Sequence, residues 1–114
     1  MEKEFIRKDC DGNDVYLKLT KGNYVENLLD CYAYRKVEKK GFFRTRIVYE
    51  PIYKYQSDLW DKRVNRCTTI SSLNSDNKEK KLNKLLDDTM DLVNESIIKH
   101  KQHKEVEDFL FNKL

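Results

Sequence analysis

The 114-residue sequence contains only three glycines, one proline and three cysteines. With glycine this scarce, it carries neither a glycine-rich phosphate loop nor a dinucleotide-binding fingerprint. The cysteines are widely spaced and odd in number, which favours reduced thiols over a disulfide framework and predicts a cytoplasmic location. No apolar run exceeds four residues, so neither a membrane-spanning helix nor a secretory signal is expected. These absences predict one small domain spanning residues 1–114.

Charge and aromatic residues concentrate in the middle third of the chain. Residues 31–66 contain 10 basic and 4 acidic residues, whereas residues 1–30 and 67–114 are both slightly acidic. The same third holds 8 of the 13 aromatic residues and 5 of the 6 arginines. A guanidinium group binds phosphates bidentately and stacks on rings, so this clustering predicts where the working surface of the protein lies.

A β-hairpin is predicted at the N-terminus. Residues 3–8 and 15–19 have an alternating or β-favouring apolar pattern, and Asp11-Gly12 between them supplies the positive φ of a tight turn. The oxygen-bearing side chains around this turn do not match a calcium loop, because Asp14 stands where that loop requires glycine. A hairpin turn is therefore the better interpretation of this segment.

Residues 1–74 are predicted to be mainly β, with one short helix. Residues 22–34 favour that helix because their apolar residues recur at intervals of about four. The tyrosines at the end of this segment fit the start of a strand equally well. Residues 42–49 and 52–55 are rich in aromatic and β-branched residues and predict strands. Pro51 between them marks a sheet edge or a break.

Residues 75–114 are predicted to be helical. Asp76 and Glu79 resemble a capping box, and an apolar stripe with a 3.6-residue period follows them. The stripe consists of Leu82, Leu85, Leu86, Met90, Val93 and Ile97. A second stripe consists of Val106, Phe109, Leu110 and Leu114. The second stripe points to another side of a straight helix, so we expect a break near residues 100–104. The cations of residues 99–101 would then end the first helix.

Together these elements predict an α+β fold. A small antiparallel sheet, made of the N-terminal hairpin and the central aromatic-rich strands, packs against a long C-terminal helix and a short terminal helix. One face of such a sheet is covered and the other is wet. Alternation then places Phe43, Ile47 and Tyr49 on one face and Arg44 and Arg46 on the other. In one interpretation, the aromatic side packs against the helix and the charged side is merely solvated.

The other interpretation is that the middle third binds nucleic acid. Basic side chains would contact phosphates and aromatic rings would stack on unpaired bases. The candidate phosphate-binding residues are Arg35, Arg44, Arg46, Lys54, Arg63 and Arg66. The candidate stacking residues are Phe42, Tyr53, Tyr55 and Trp60. Because Tyr, Trp and Arg are also enriched at protein–protein hot spots, a protein that handles nucleic acid is an alternative target.

Patterns that would bind a metal are weak. His100, His103 and Glu107 could bind zinc from one helical face, but a solvated basic helix terminus is the favoured interpretation. The cysteines show no zinc-binding spacing, and Cys31, beside apolar residues, fits a core position better than a nucleophile. The sequence therefore predicts neither a metal nor a cofactor.

A nuclease is a remote alternative. Asp30, Glu38 and Lys40 match the spacing of an acidic residue followed by an acid-any-Lys triplet, which holds magnesium in some nucleases. In a chain with 17 lysines this spacing arises readily by chance. The chain is therefore expected not to be an enzyme.

The leading hypothesis is a small non-enzymatic binding protein that acts on nucleic acid or on a nucleic-acid-handling host protein. The second hypothesis is a protein inhibitor or adaptor, or a homodimer, that uses the C-terminal helices and their apolar ending Phe109-Leu110-Phe111. The Lys-, Asn- and Ile-rich composition resembles that of small proteins from AT-rich bacterial or viral genomes. The compact charged domain is similar in character to phage and mobile-element proteins, which implies an anti-defence-like regulator in the host cytoplasm.

Overall fold

An antiparallel sheet packed against one long helix forms the fold of this computed structural model. The structure describes residues 2–22, 26–55, 62–73 and 76–112. Within these ranges the five strands are β1 (Glu2–Lys8), β2 (Asp14–Lys21), β3 (Leu28–Lys40), β4 (Thr45–Pro51) and β5 (Asn65–Thr69). A 3₁₀ turn (Ile70–Leu73) precedes the helix α1 (Lys78–Asn112). The predicted α+β class is confirmed.

The predicted N-terminal hairpin is confirmed. β1 pairs with β2 over its whole length, from Glu2 opposite Thr20 to Lys8 opposite Asp14. Gly12 in the connecting turn has a φ of 81°, a value that glycine adopts without steric cost. The Asp-Gly signal in the sequence therefore identified this turn correctly.

β3 is the central strand of the sheet. It pairs with β2 on one edge, and its other edge pairs with β5 along the first half and with β4 along the second. The prediction of a helix over residues 22–34 is therefore wrong from Leu28 onward, and residues 23–25 lie outside the described residues. The strand interpretation of Tyr32 and Tyr34 is confirmed.

The second half of β3 continues past β2 and forms a two-stranded ribbon with β4. We call residues 36–49 the β3–β4 ribbon; its backbone pairs run from Lys36 opposite Tyr49 to Lys40 opposite Thr45. Residues 41–44 form the turn, so the strand predicted to begin at Phe42 begins three residues later. β4 ends at Pro51, and the strand predicted just beyond it is reduced to one isolated bridge formed by Tyr53.

The first half of α1 covers one face of the sheet. The buried apolar residues are Val15, Leu17, Cys31, Ala33, Val64, Leu85, Leu86, Met90 and Val93. Leu82 and Ile97 pack against this core, so the first predicted apolar stripe is confirmed. Cys31 is fully buried, and its burial raises the pKa of the thiol, which matches the predicted core position rather than a nucleophile.

α1 continues without a break for 35 residues. The Asn77 carbonyl accepts the first helical hydrogen bond from the Lys81 N–H at 3.0 Å, so Asn77 rather than Asp76 is the capping residue. The predicted break near residues 100–104 and the separate terminal helix are wrong, because no Gly or Pro interrupts this segment. Within the described ranges, no helix is long and apolar enough to cross a membrane.

A buried ion pair joins the first hairpin to β3. The Asp9 side chain is fully buried, and its Oδ2 lies 2.5 Å from a guanidinium nitrogen of Arg35. Its Oδ1 accepts hydrogen bonds from the backbone N–H groups of Asp11 and Asn13 at 2.8 and 3.0 Å. Burial alone would raise the pKa of Asp9, but Arg35 and these N–H donors outweigh it and hold the pKa below its ordinary value.

We expect Asp9→Asn to lower the free energy of unfolding by about 2–3 kcal/mol near pH 7, because it leaves the half-buried Arg35 without its counter-charge. Folding lowers the pKa of Asp9. The Asp9 carboxylate therefore contributes its full share of the free energy of unfolding above the unfolded pKa near 4, and this share is lost as the pH falls through the folded pKa. Urea denaturation of both proteins near neutral pH and at progressively lower pH should therefore show the stability difference shrinking in acid.

Asp14→Asn is the matched control for this prediction. Asp14 also pairs with a cation, Lys8, at 2.5 Å, but both side chains are largely exposed. Its substitution should cost less than about 1 kcal/mol. If Asp9→Asn cost as little, or if its effect did not change with pH, the buried pair would not be what secures the hairpin.

Candidate nucleic-acid interface

The outer face of the sheet, which we define as the face away from α1, is built from the residues that alternate with the core positions. On β2, Tyr16 and Lys18 alternate with the buried Val15 and Leu17. Tyr16 lies opposite Tyr34 of β3 in the backbone register. The residues that the outer face presents include Tyr16, Lys18, Tyr32, Tyr34, Lys36 and Tyr49.

This arrangement overturns the expectation that the aromatic side of β4 packs against the helix. Tyr49 lies opposite Lys36, on the outer face, and Ile47 on the same side of β4 is 62% exposed. Phe43 lies in the turn and contacts neither face of the sheet core. The helix instead covers the small and aliphatic side chains of β2 and β3, which allow close approach.

Three tyrosine rings form a cluster on the outer face. The ring of Tyr49 lies 6.0 Å from that of Tyr16 and 6.2 Å from that of Tyr34, each with an interplanar angle of 87°. These are edge-to-face contacts, the geometry that aromatic quadrupoles favour. We call Tyr16, Tyr34 and Tyr49 the tyrosine cluster.

Two lysines lie over the faces of these rings. The Nζ atom of Lys18 is 3.8 Å from the centroid of the Tyr49 ring, and that of Lys36 is 4.3 Å from the centroid of Tyr16. Hydrogen bonding to Glu4 raises the pKa of the Tyr49 hydroxyl, and a hydrogen bond to Tyr49 raises the pKa of Lys36. Near neutral pH Tyr49 is therefore a neutral phenol and Lys36 a cation, and the carboxylate of Glu4 lies beside them.

The β3–β4 ribbon ends in two adjacent exposed phenylalanines. Phe42 and Phe43 are 95% and 93% exposed, and their ring centroids lie 4.9 Å apart. Gly41 permits this turn, because a Cβ there would lie 2.9 Å from the carbonyl oxygen of Arg44. The turn is closed by a hydrogen bond of 2.8 Å from the Gly41 N–H to the same carbonyl. The ribbon thus presents an uncovered aromatic tip.

Positive charge accumulates around this tip. Residues 38–47 are all exposed and contain four cations and one anion. Among the described residues, no carboxylate lies within ion-pair distance of Lys40, Arg44 or Arg46, whereas Lys39 pairs with Glu50 at 3.3 Å. The tip therefore combines unneutralised cations with exposed rings.

Charge on the outer face is graded from one end to the other. The anions Glu2 and Glu4 lie on β1, and Asp30 lies on the first half of β3, away from the ribbon. A shallow depression of about 350 Å³ at this end is lined by the anions Glu2 and Asp30 and by the cations Lys21 and Arg63. The ribbon tip, where cations outnumber anions, therefore offers a polyanion the most favourable potential.

The structure brings some of the predicted site residues together. Phe42 and Arg44 lie in the turn of the ribbon, whereas Arg46 lies opposite Lys39 in β4, on the face of the ribbon away from Ile47 and Tyr49. Arg63 lies on the outer face, with its guanidinium carbon 4.6 Å from the centroid of the Tyr32 ring. Phe42, Arg44 and Arg63 are consistent with one continuous surface that runs from the sheet to the ribbon tip, and Arg46, predicted to join them, lies on the other face.

Other predicted site residues lie elsewhere. Arg35 is held in the ion pair with Asp9. Arg66 faces the helix side of β5, where its charge lowers the pKa of Glu95 after the larger effect of Lys99. The Tyr55 hydroxyl is hydrogen-bonded to His103 of α1 at 2.8 Å. The backbone N–H of Lys54 donates to the carbonyl of Lys62, and Trp60 lies outside the described residues. Tyr53 is the exception: it is 53% exposed and is the bridge partner of Arg63, so it lies on the same side as that residue.

The structure does not assemble the alternative chemical sites. His103 bonds Tyr55 on one ring nitrogen and Glu107 on the other at 3.0 Å, and no group of three potential metal ligands is found among the described residues. Asp30 and Glu38 lie eight residues apart on the same strand, which separates them by roughly 26 Å. They cannot share one magnesium ion, so the nuclease spacing was a chance match.

Sequence reasoning missed Tyr16 and Lys18, because both lie in the net-acidic first third of the chain. The alternation of Val15, Leu17 and Leu19 with these residues was the available signal, since it assigns them to the wet face of the strand. Lys36 and Tyr34 were also missed, although both lie in the basic third. Their role follows only from the register that sets β2, β3 and β4 side by side.

Comparisons of the chain with protein-family models, with curated proteins and with solved structures find no match. The function must therefore be inferred from the chemistry of the surface that its own residues form.

We expect Gly41→Ala to open the ribbon tip, because the new Cβ would press against the Arg44 carbonyl that closes the turn. Amide hydrogen exchange at residues 38–47 should accelerate, while exchange in the core strands and the unfolding temperature change little. Thr45→Ala, beside the turn, is the control and should leave exchange at the tip unchanged. Unaltered exchange in the glycine variant would show that the turn does not depend on this close approach.

Proposed function

We propose that this protein binds single-stranded nucleic acid with the outer face of its sheet and the β3–β4 ribbon. The observation that carries the proposal is the continuous placement of the tyrosine cluster, the two lysines over it and the basic tip with its exposed phenylalanines. An electropositive track with aromatic platforms is the combination that binds single strands without reading their sequence. No other described surface of the chain joins both properties.

The lysines over the tyrosine rings do not prevent stacking. An exposed cation–π contact is worth about 0.5–1 kcal/mol, whereas a base stacked on an aromatic side chain contributes about 1–3 kcal/mol. When a base displaces Lys18 or Lys36 from a ring face, the ammonium group remains close enough to contact the phosphate of the same strand. The bound state therefore replaces a weak contact with a stronger one and adds an ion pair.

The ribbon supplies most of the phosphate contacts in this proposal. Lys40 and Arg44 have no carboxylate partner among the described residues, so binding a phosphate there breaks no existing ion pair. Burying either phenylalanine of the tip against a base contributes roughly 2–3 kcal/mol of apolar transfer energy. Arg63 with Tyr32 extends the same surface toward the sheet.

A single strand fits this surface better than a duplex. The rings of the cluster and the tip can stack only on bases whose faces are free, and a duplex stacks its bases on one another. A two-stranded ribbon can enter a major groove, but the tyrosine cluster on the sheet would then have no aromatic partner. We therefore expect oligonucleotides without secondary structure to bind more tightly than the same sequences in a duplex.

The charge contribution is tested by Lys40→Glu/Arg44→Glu in a salt series with a labelled single-stranded oligonucleotide. Each phosphate contact contributes about 0.7 to the slope of log affinity against log salt, so losing two should reduce the slope by about 1.4. Lys78→Glu/Lys80→Glu, at the start of α1, makes the same change in net charge and should leave the slope almost unchanged. If the slope fell equally in both variants, the effect would come from net charge alone and not from contacts at the ribbon.

The stacking contribution is tested by Tyr34→Leu, which keeps an apolar side chain but removes the ring. We expect the affinity for single strands to fall about tenfold, because one stacked base is lost. The slope of log affinity against log salt should not change, because no phosphate contact is lost. Tyr55→Leu is the control, since the Tyr55 ring packs against His100 and His103 of α1. No binding by the wild type, even at low salt, would contradict the proposal and favour a protein target.

A further inference from the structure

The second half of α1 extends past the sheet and carries an uncovered apolar stripe. Residues 98–112 are all exposed, and they include Ile98, Val106, Phe109 and Leu110, which are about half exposed. Val106 and Phe109 follow the buried Val93 by 13 and 16 residues. At about 100° per residue they lie roughly 140–160° around the helix from the face that packs on the sheet. The stripe therefore faces away from the protein's own core.

The charges of this segment are divided along its length. Residues 99–104 contain three lysines and no acid, whereas residues 105–108 contain three acids and no base. The acidic part lies nearest the C-terminal end of the helix, and the last turn has no basic residue. Within one copy some of these charges are already paired at exposed positions: Lys99 with Glu95, Lys101 with Asp11 of the first hairpin, and Glu107 with His103. Exposed pairs contribute little each and can exchange partners. Tyr55 contacts the side of the segment that carries His100 and His103, whereas the apolar stripe remains exposed.

We propose that this segment is a homodimerisation surface, on which a second copy of the chain packs its own residues 98–112 in antiparallel orientation. An antiparallel pairing centred near Gln102–Lys104 sets Lys99 and Lys101 of each copy opposite Glu105 and Glu107 of the other. A parallel pairing would set like charges side by side. The antiparallel partner thus brings cations beside the acidic part of each helix.

The described part of the fold leaves most of the stripe open. Tyr55 contacts His100 and His103 and lines a shallow depression with Val106, whereas Ile98, Phe109 and Leu110 remain about half exposed. The exposed apolar side chains offer on the order of 500 Å² per copy, or about 1,000 Å² for a pair, at the low end of specific interfaces. The dimer is therefore concentration-dependent. It requires no nucleic acid and does not rest on the proposed function.

Sedimentation equilibrium of the full chain, from about 1 μM to about 1 mM, measures the association directly. We expect a reversible monomer–dimer equilibrium for the wild type. Phe109→Ala/Leu110→Ala should weaken it at least tenfold while circular dichroism shows α1 still helical. A wild type that remains monomeric over the whole range would overturn the proposal.

A charge exchange tests the antiparallel orientation. Lys99→Glu/Lys101→Glu leaves Lys104 as the one lysine of residues 99–108, and Glu105→Lys/Glu107→Lys leaves Asp108 as the one acid. Because the first variant also removes the ion pair of Lys101 with Asp11, circular dichroism checks that each variant keeps α1 helical. Each variant alone should self-associate at least tenfold more weakly than the wild type, whereas an equimolar mixture should form a heterodimer at least as tightly as the wild type dimerises. Self-association of either variant at wild-type strength, or a mixture that does not associate, would contradict this geometry.

Discussion

A single helix covers a single face of the sheet, and most other features follow from this constraint. The buried core consists of residues from the first half of α1, from β2 and β3, and Val64. Polar and aromatic residues occupy the other face, because no described element covers it. The ribbon and the second half of the helix both extend beyond this core, so the surfaces available for binding are those that one helix leaves uncovered.

The sequence predicted the elements whose signals are local. The Asp11-Gly12 turn and the apolar stripe of the first half of α1 depend on neighbouring residues only, and both were found. The segment over residues 22–34 was misassigned because tyrosine counts as apolar, which made an alternating strand resemble a helical pattern. The predicted break in α1 was wrong because it assumed that both apolar stripes pack against the same core. The second stripe points to another side of a continuous helix and is exposed.

The candidate site was predicted in part, and the remainder depends on strand register. A count of charges along the chain located the ribbon, because its cations are close together in sequence. It could not locate Tyr16 or Lys18, which reach the site only through the pairing of β2 with β3. The count also included Arg35, whose guanidinium neutralises the buried Asp9 and so serves the fold. A clustered arginine is a candidate ligand only when no buried carboxylate already holds it.

The uninterrupted helix gives the molecule an elongated outline. Its extents are 57 × 40 × 28 Å, and its radius of gyration is 17.0 Å, whereas a compact chain of this length would have about 13 Å. An elongated particle experiences more friction than a sphere of equal mass, so a single copy would elute from a sizing column like a larger globular protein. Apparent mass by gel filtration would thus overstate the number of chains, and only a method that weighs the particle independently of its shape can count them.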